Sequence, residues 1–488
     1  MMKQYSKQAA LFLFCGGLTL TGCTGDFDSI NTDPDNPTTV NPTNELAFVE
    51  RAMCDELFDD WFDMAEPSSF GGQIAKYTYT DENWYNFRPG TQNDNWKYCY
   101  DLQNNLKDIY KQAESSGNSN MKNVATVLSM FIMQITTDRW RDVPYTEMAR
   151  MDEGITAPAY DKQEDIYPHM LRDLKIAADG LADDNVGSLG EGDQLFSNKM
   201  IKWQQFCNSL RLRIAMRISS AMPDTAKTTV LEITGNPTRY PLIKSNSDNA
   251  FFYFNNEYFE PWGDAVRTRY DFCVSNVLVN TLDSLKDPRI GVYCMKAVNS
   301  DKYVGFRIGT KAYGVQKDYS GIGQRFCNSS THYGFTPLFR ACETYFQLAE
   351  AAKLGWDVGI SAEEAYNNAV TLSLEENEVS SAEISTYLAG AAKYDGTAAQ
   401  FYTQEWLALF KQGMEVWSLY RRTGIPANNY PAPEKDTRYP GHTVPPLRSP
   451  YPNNEVNLNP TNCAPYSAKI VDNFWGVAMM WDQRGILK

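Results

Sequence analysis

A mainly α fold with long irregular loops and a few short strands is what this sequence predicts, on three observations. Apolar residues recur at helical spacing through much of the chain. Between about residues 221 and 335 that spacing gives way to a loop-rich insertion. Its clustered rings, Phe251 to Phe254, and its scattered Gly305, Gly309, Gly314, Gly321 and Gly323 imply short strands and wandering connections. From about 424 to 488 a Pro-rich segment, with Pro426, Pro431, Pro433, Pro440, Pro445, Pro446, Pro450, Pro452 and Pro460, excludes long helices.

The chain opens on a processing signal. Lys3 and Lys7 form a cationic start, and an apolar run from Ala9 to Leu20 follows. That run is too short to span a bilayer, where about 20 apolar residues are needed. Leu20-Thr21-Gly22-Cys23 then places small residues before a lone cysteine, the pattern at which a bacterial lipoprotein is cut and acylated. Residues 1–22 are therefore expected to be a lipoprotein signal peptide, with Cys23 as the lipidation site. Residues 23–42 are acidic and rich in Asn, Asp and Pro; such a stretch cannot bury a core and is expected to be a tether.

Helices are expected over about 45 to 60 and 94 to 113. The next is the clearest: Val124, Val127, Leu128, Phe131, Ile132 and Ile135 share one face only in a helix. The Ser115-Ser116-Gly117-Asn118-Ser119 break joins these last two as a hairpin. Further helices are expected over 163 to 182, 199 to 219, 273 to 285, 338 to 355, 361 to 376, 398 to 412 and 412 to 421. Gly355-Trp356-Asp357-Val358-Gly359 joins one pair, Gly413 interrupts another, and Ser361 with Glu364 makes a capping box. Short paired helices suggest stacked helix-turn-helix units, since one hairpin cannot bury both its apolar faces, although no clean repeat of about 34 residues is visible.

Charge and chemistry narrow the function. The formal net charge is −15, and −17 once Lys3 and Lys7 leave with the leader and 466 of the 488 residues remain. So acidic a chain, without a long Lys/Arg run, is repelled by nucleic-acid phosphates, and no nucleic-acid partner is expected. Apart from Cys15 and Cys23, eight cysteines remain at wide spacing without a CxxC pair. About 105 full pairings are open to them, and no zinc site is expected. With His169, His332 and His442 alone, and no HExxH, GxSxG or P-loop pattern, catalytic signatures are missing; no enzyme and no cofactor is expected. Asp33, Asp35 and Asn36 fit a turn better than a calcium loop.

Binding is expected in loop aromatics, where flat apolar faces stand beside polar groups, as a sugar or peptide site needs. The first cluster is Lys76 to Gly90, with Trp84 and Tyr85 foremost and Trp96 nearby. The second is Asn255 to Asp264, with Tyr258 and Trp262. Arg211, Arg213 and Arg217 lie along a packed helix and are expected to pair with acidic neighbours. Arg421 and Arg422, before Gly424-Ile425-Pro426, suit a helix C-terminus. Trp406, Phe410, Trp417 and Tyr420 are expected in the core.

The chain resembles the SusD/RagB family of nutrient-binding outer-membrane lipoproteins, in its SusD-like branch. The residues that carry this are Cys23 with Asp26-Phe27-Asp28-Ser29-Ile30-Asn31-Thr32-Asp33-Pro34, and Arg139-Trp140-Arg141-Asp142-Val143-Pro144-Tyr145. To these add Lys202 to Ala215, Ala349-Glu350-Ala351-Ala352, Gln404 to Phe410, Trp417 to Pro426 and Pro446 to Glu455. Where the family typically has Tyr-Gly-Asp-Val-Pro, this chain has Trp140-Arg141-Asp142-Val143-Pro144.

The resemblance implies a single α-helical domain over 43–488, built on four tetratricopeptide-like hairpins. It implies a lipid anchor in the outer membrane, facing the cell exterior, and a SusC-like TonB-dependent transporter as partner. The protein would capture oligosaccharide or peptide for that transporter. The alternatives are a lid that scaffolds the transporter without binding nutrient, and a surface glycoside hydrolase.

Overall fold

The computed structural model describes residues 40–482 apart from Phe87, Asn256, Thr310, 427–443 and Val471. The expected leader, Cys23 and nearly all of the tether lie outside the described residues.

Helices of eight residues or more are numbered along the chain. After α1 (Pro42–Glu56), α2 (Pro89–Ser116) and α3 (Ser119–Trp140) form a first hairpin, and α4 (Gln163–Asp183) and α5 (Met200–Arg217) a second. Then come α6 (Pro223–Gly235), α7 (Pro261–Thr268) and α8 (Asn276–Leu285). The third hairpin is α9 (Ala341–Lys353) with α10 (Ala362–Glu376), and α11 (Ser381–Ala389) follows. The fourth is α12 (Ala398–Ala408) with α13 (Gly413–Thr423), and α14 (Pro460–Ser467) comes last. Neighbouring pairs stack, α3 on α4 and α5 on α9, so the mainly α fold of four helical hairpins is present.

Local chemistry explains the joints. Gly117 ends α2 at φ +71, a left-handed conformation that costs glycine nothing, and the Asn118 side chain accepts from the Met121 amide to start α3. Ser361 accepts from the Glu364 amide at 3.2 Å, half of the box expected there. The reciprocal box forms at Ser380 and Glu383, which start α11.

Two expected helices begin too early because strands occupy their first residues. Strand β1 (Ile74–Lys76) pairs antiparallel with β3 (Phe272–Val274), and β2 (Ala250–Phe254) with β4 (Gly334–Phe339). Cys273 and Val274 therefore lie in a strand opposite Ala75 and Ile74, and α8 starts only after Ser275, whose hydroxyl accepts from the Leu278 amide. Leu338 and Phe339 close β4 before α9. The helix expected over 45 to 60 stops at Glu56, and a one-turn π-helix at Asp60–Met64 follows. Helices α6, α7 and α14 were not expected, because Pro223, Pro261 and Pro460 stand in their first turn, where proline starts a helix instead of breaking it.

The main apolar core fills the spaces between hairpins, and α3 is buried along almost its whole length. Its expected stripe is buried, and so are Gln134, Asp138 and Arg139 on its other faces. A second apolar core underlies the irregular region; there Phe272, Val274, Leu278, Phe306 and Phe335 meet Trp406, Leu407 and Phe410 from the fourth hairpin. Ion pairs thread both. Arg213 meets Glu343 at 2.8 Å, Arg211 meets Glu232 at 2.6 Å and Arg217 meets Glu415, as expected for that helix. Arg421 does not serve its own helix end alone: its guanidinium donates at 2.7 Å to the Asp138 carbonyl in the last turn of α3. Arg422 reaches across to Glu350.

At the turn after α3 the chain has arginine where the family it resembles typically has glycine. Arg141 stands there at φ +73 and ψ −94, a conformation that L residues rarely adopt. Its side chain holds Asp142, Glu164 and the Ala478 carbonyl.

Candidate functional site

The five rings expected to bind ligand do not form one site. Three are in the core. Tyr85 packs against Phe70 at 5.7 Å and Trp475 at 5.6 Å. Trp96 sits within α2 against Tyr100, Trp140, Tyr160 and Tyr451. Trp262, in the first turn of α7, is fully buried against Phe410, with the Lys411 ammonium 5.3 Å from its ring. Large apolar rings follow the burial energy available to them, and these three reach the cores instead of solvent. Only Trp84 and Tyr258 remain at the surface. Tyr258 is 47 % exposed with the Arg51 guanidinium 4.7 Å from its ring, and no ring contact joins it to Trp84 among the described residues.

Around Trp84 the fold assembles rings that sequence spacing did not suggest. Two loops meet here. The 77–84 turn leaves the end of β1, and a second loop returns from Phe306, whose amide donates to Val274 in β3. The second loop is tied at both ends to the first: the Gly309 amide donates to the Asn83 carbonyl and the Gly314 amide to the Tyr77 carbonyl, each at 2.7 Å. Gly305 permits the approach, because a Cβ there would stand 2.2 Å from the Ser275 carbonyl oxygen.

This places Trp84, half-buried, beside Lys311, whose ammonium is 4.6 Å from the indole ring. Tyr79 and Tyr313 project from the two loops with 70 % and 75 % of their surface exposed. The Tyr77 amide extends the β1–β3 ladder by donating to the Asp271 carbonyl, which brings Tyr270, 64 % exposed, beside the same turn. Tyr79 has φ +49; the backbone turns there, so Tyr77 is buried while Tyr79, two residues on, faces solvent. Such strain persists where the surroundings over-determine it.

Buried charge fixes the ledge. The Lys76 ammonium bonds Glu82 at 2.9 Å and Asp271 at 3.1 Å, all three nearly excluded from solvent. Asn83 locks the turn to β1, its side chain accepting from the Lys76 amide and donating to the Lys76 carbonyl. Arg88 ties Asp81 and Glu82 together from outside. The result is three exposed rings and one half-buried ring on backbone segments joined to one rigid base, suited to stacking against flat apolar faces. Among the described residues no group of His, Cys, Asp and Glu is arranged to hold a metal, and no helix is long and apolar enough to cross a membrane.

Tyr79 lies within the first aromatic cluster of the sequence, but Tyr270 and Tyr313 do not. Only the pairing of β1 with β3 and the two glycine amide bonds bring them to it.

Residues 34–452 match the SusD-like family described as starch-binding and associating with the outer membrane. The chain belongs to the SusD-like family. Solved structures agree on the fold. A chitin-binding protein shares 25 % identity with this SusD-like chain, at a TM-score of 0.79, over 91 % of this chain and 100 % of that one. A chitin-binding SusD homologue from Flavobacterium johnsoniae shares 23 % identity at 0.78, over 90 % and 99 %. A SusD homologue from Bacteroides uniformis shares 22 % at 0.80, over 91 % and 100 %. No curated protein is significantly similar to this SusD-like protein.

Proposed function

We propose that this SusD-like protein captures a glycan at the cell surface and passes it, unaltered, to a SusC-like TonB-dependent transporter. Lipid on Cys23 holds it to the outer membrane through the acidic tether. The observation that carries this proposal is the set of rings on the joined segments, exposed Tyr79, Tyr270 and Tyr313 with half-buried Trp84, mounted on a frame shared with chitin-binding relatives. A pyranose offers an apolar face of axial hydrogens that stacks on such rings, while its hydroxyls meet the polar groups beside them. Three rings on two joined loops, with Tyr270 on the segment entering β3, suit several sugars in succession, hence an oligosaccharide in preference to a monosaccharide.

Isothermal titration with oligosaccharides of increasing length tests capture. Heat that grows with chain length and falls on replacing Tyr79 or Trp84 by alanine is expected. No glycan heat together with stable co-purification of the transporter supports the scaffold instead. Radioactive fatty acid that fails to label the protein in cells, or labels it equally after Cys23→Ser, overturns the anchor.

A further inference from the structure

We infer that the glycan is anionic, bearing uronate or sulfate groups, a conclusion that rests on the ring ledge being the glycan site. In a chain with 60 carboxylates against 45 lysines and arginines, residues 302–317 carry Lys302, Arg307, Lys311 and Lys317 and not one Asp or Glu. This is the same loop that Gly309 and Gly314 tie to the aromatic turn. Its sign is therefore set against that of the whole molecule where it meets the turn that carries Tyr79 and Trp84.

The carboxylates close to the ledge do not neutralise it, because neighbouring cations already hold them. Lys76 takes Glu82 and Asp271, Arg88 takes Asp81, and Arg269 lies 3.7 Å from Asp60 and 3.3 Å from Asp271. The acids that flank the loop are engaged too, Asp301 with Lys296 and Asp318 with the Asn299 amide group. Arg307 is exposed two residues before the Gly309 anchor, and neither it nor Lys317 has an ion-pair partner among the described residues. Lys311 brings its ammonium over the Trp84 ring, where a stacked sugar would lie within its reach. An ammonium over a stacking ring, with a guanidinium on the same loop, recognises a carboxylate or sulfate on the sugar and leaves neutral hydroxyls without a charged partner.

Titration against a charge-matched panel tests this. The neutral probes are N-acetylglucosamine and glucose hexasaccharides; the anionic ones are a hyaluronan hexasaccharide, which alternates N-acetylglucosamine with glucuronate, an oligogalacturonate and a sulfated chondroitin hexasaccharide. The tightest ligand is expected among the anionic three, at least tenfold above either neutral probe at 50 mM salt. Its affinity is expected to fall about tenfold at 500 mM salt as screening shortens the reach of the exposed cations. Arg307→Gln combined with Lys311→Gln is expected to remove that preference with an unchanged melting temperature. A neutral probe that binds tightest, or an anionic preference that survives the double variant, overturns the inference. If that neutral binding is lost in Tyr79→Ala and Trp84→Ala, the ring ledge stands and only the charge assignment falls; binding by no probe counts against both.

Discussion

The Lys76 ammonium lies 3.1 Å from the Asp271 carboxylate, and both side chains are almost wholly buried. Because the same ammonium holds Glu82, one cation joins the segment of Tyr270 and Asp271, which enters β3, to the turn that carries Trp84. Removing it leaves two buried carboxylates without their counter-ion, so Lys76→Met is expected to lower stability by about 3 to 5 kcal/mol. Urea unfolding measures this, and hydrogen exchange over 77–85 is expected to quicken. A loss below 1 kcal/mol would show that water reaches the pair.

Burial separates the tryptophans. Trp84→Ala is expected to weaken glycan binding by about 1 to 2 kcal/mol with little change in melting temperature, since a half-buried ring loses stacking more than packing. Trp262→Ala opens a cavity in the second core and is expected to cost about 3 to 5 kcal/mol of stability. Thermal unfolding and titration of both variants, side by side, check the contrast; equal effects would contradict the burial difference.

All eight cysteines outside the leader and lipid site are buried as free thiols. Burial pushes the Cys99 and Cys207 thiols up to about 12 and Cys273, Cys294, Cys327 and Cys342 higher still. Thiolate is the reactive form, so native protein beginning after Cys23 is expected to resist Ellman's reagent. Under non-reducing denaturation all eight are expected to react. Fewer would reveal a disulfide.

Glu405 faces the polar centre of the fourth hairpin. Burial, aided by repulsion from Glu350 and opposed by Arg422, pushes its carboxyl up to about 8, from 4.5 in an unstructured chain. The folded protein then keeps a proton that the unfolded chain releases. Its stabilising effect is complete below about pH 4.5 and is lost as pH rises through 8, at most about 1.4 kcal/mol per pH unit. Glu405→Gln, which imitates the protonated acid, is expected to flatten stability between pH 5 and 8 and to exceed the parent protein at pH 8. Parallel curves for the two proteins would place Glu405 in its charged form.

At Arg141, glycine removes a left-handed strain that alanine retains. Arg141→Gly is expected to be more stable than Arg141→Ala by about 1 kcal/mol, although both lose the contacts to Asp142 and Glu164. Chemical denaturation of the pair decides it.

The helical frame was legible because its signals are local. The 3.6-residue stripe of α3, the Gly117 stop and the Ser361 cap each act within a few residues of themselves, and each is found where sequence placed it. Strands β3 and β4 were not legible, because Cys273 and Leu338 become strand only on meeting partners far along the chain. The ledge failed for the same reason. Trp262 stands in a polar, turn-rich stretch and looked accessible, yet α7 starts at Pro261 and turns it inward onto Phe410. Tyr270 and Tyr313 carry no local mark at all. A ladder bond at Asp271 and an amide bond from Gly314 tie the residues beside them to Tyr77.

Two backbone hydrogen bonds, donated by the Gly309 and Gly314 amides, fasten the cationic loop to the aromatic turn, and neither depends on a side chain. Both bonds survive a change of side chain between the glycines, because amide and carbonyl are common to every residue there but proline. Under the proposed role, a new sugar preference then needs changes in a handful of codons.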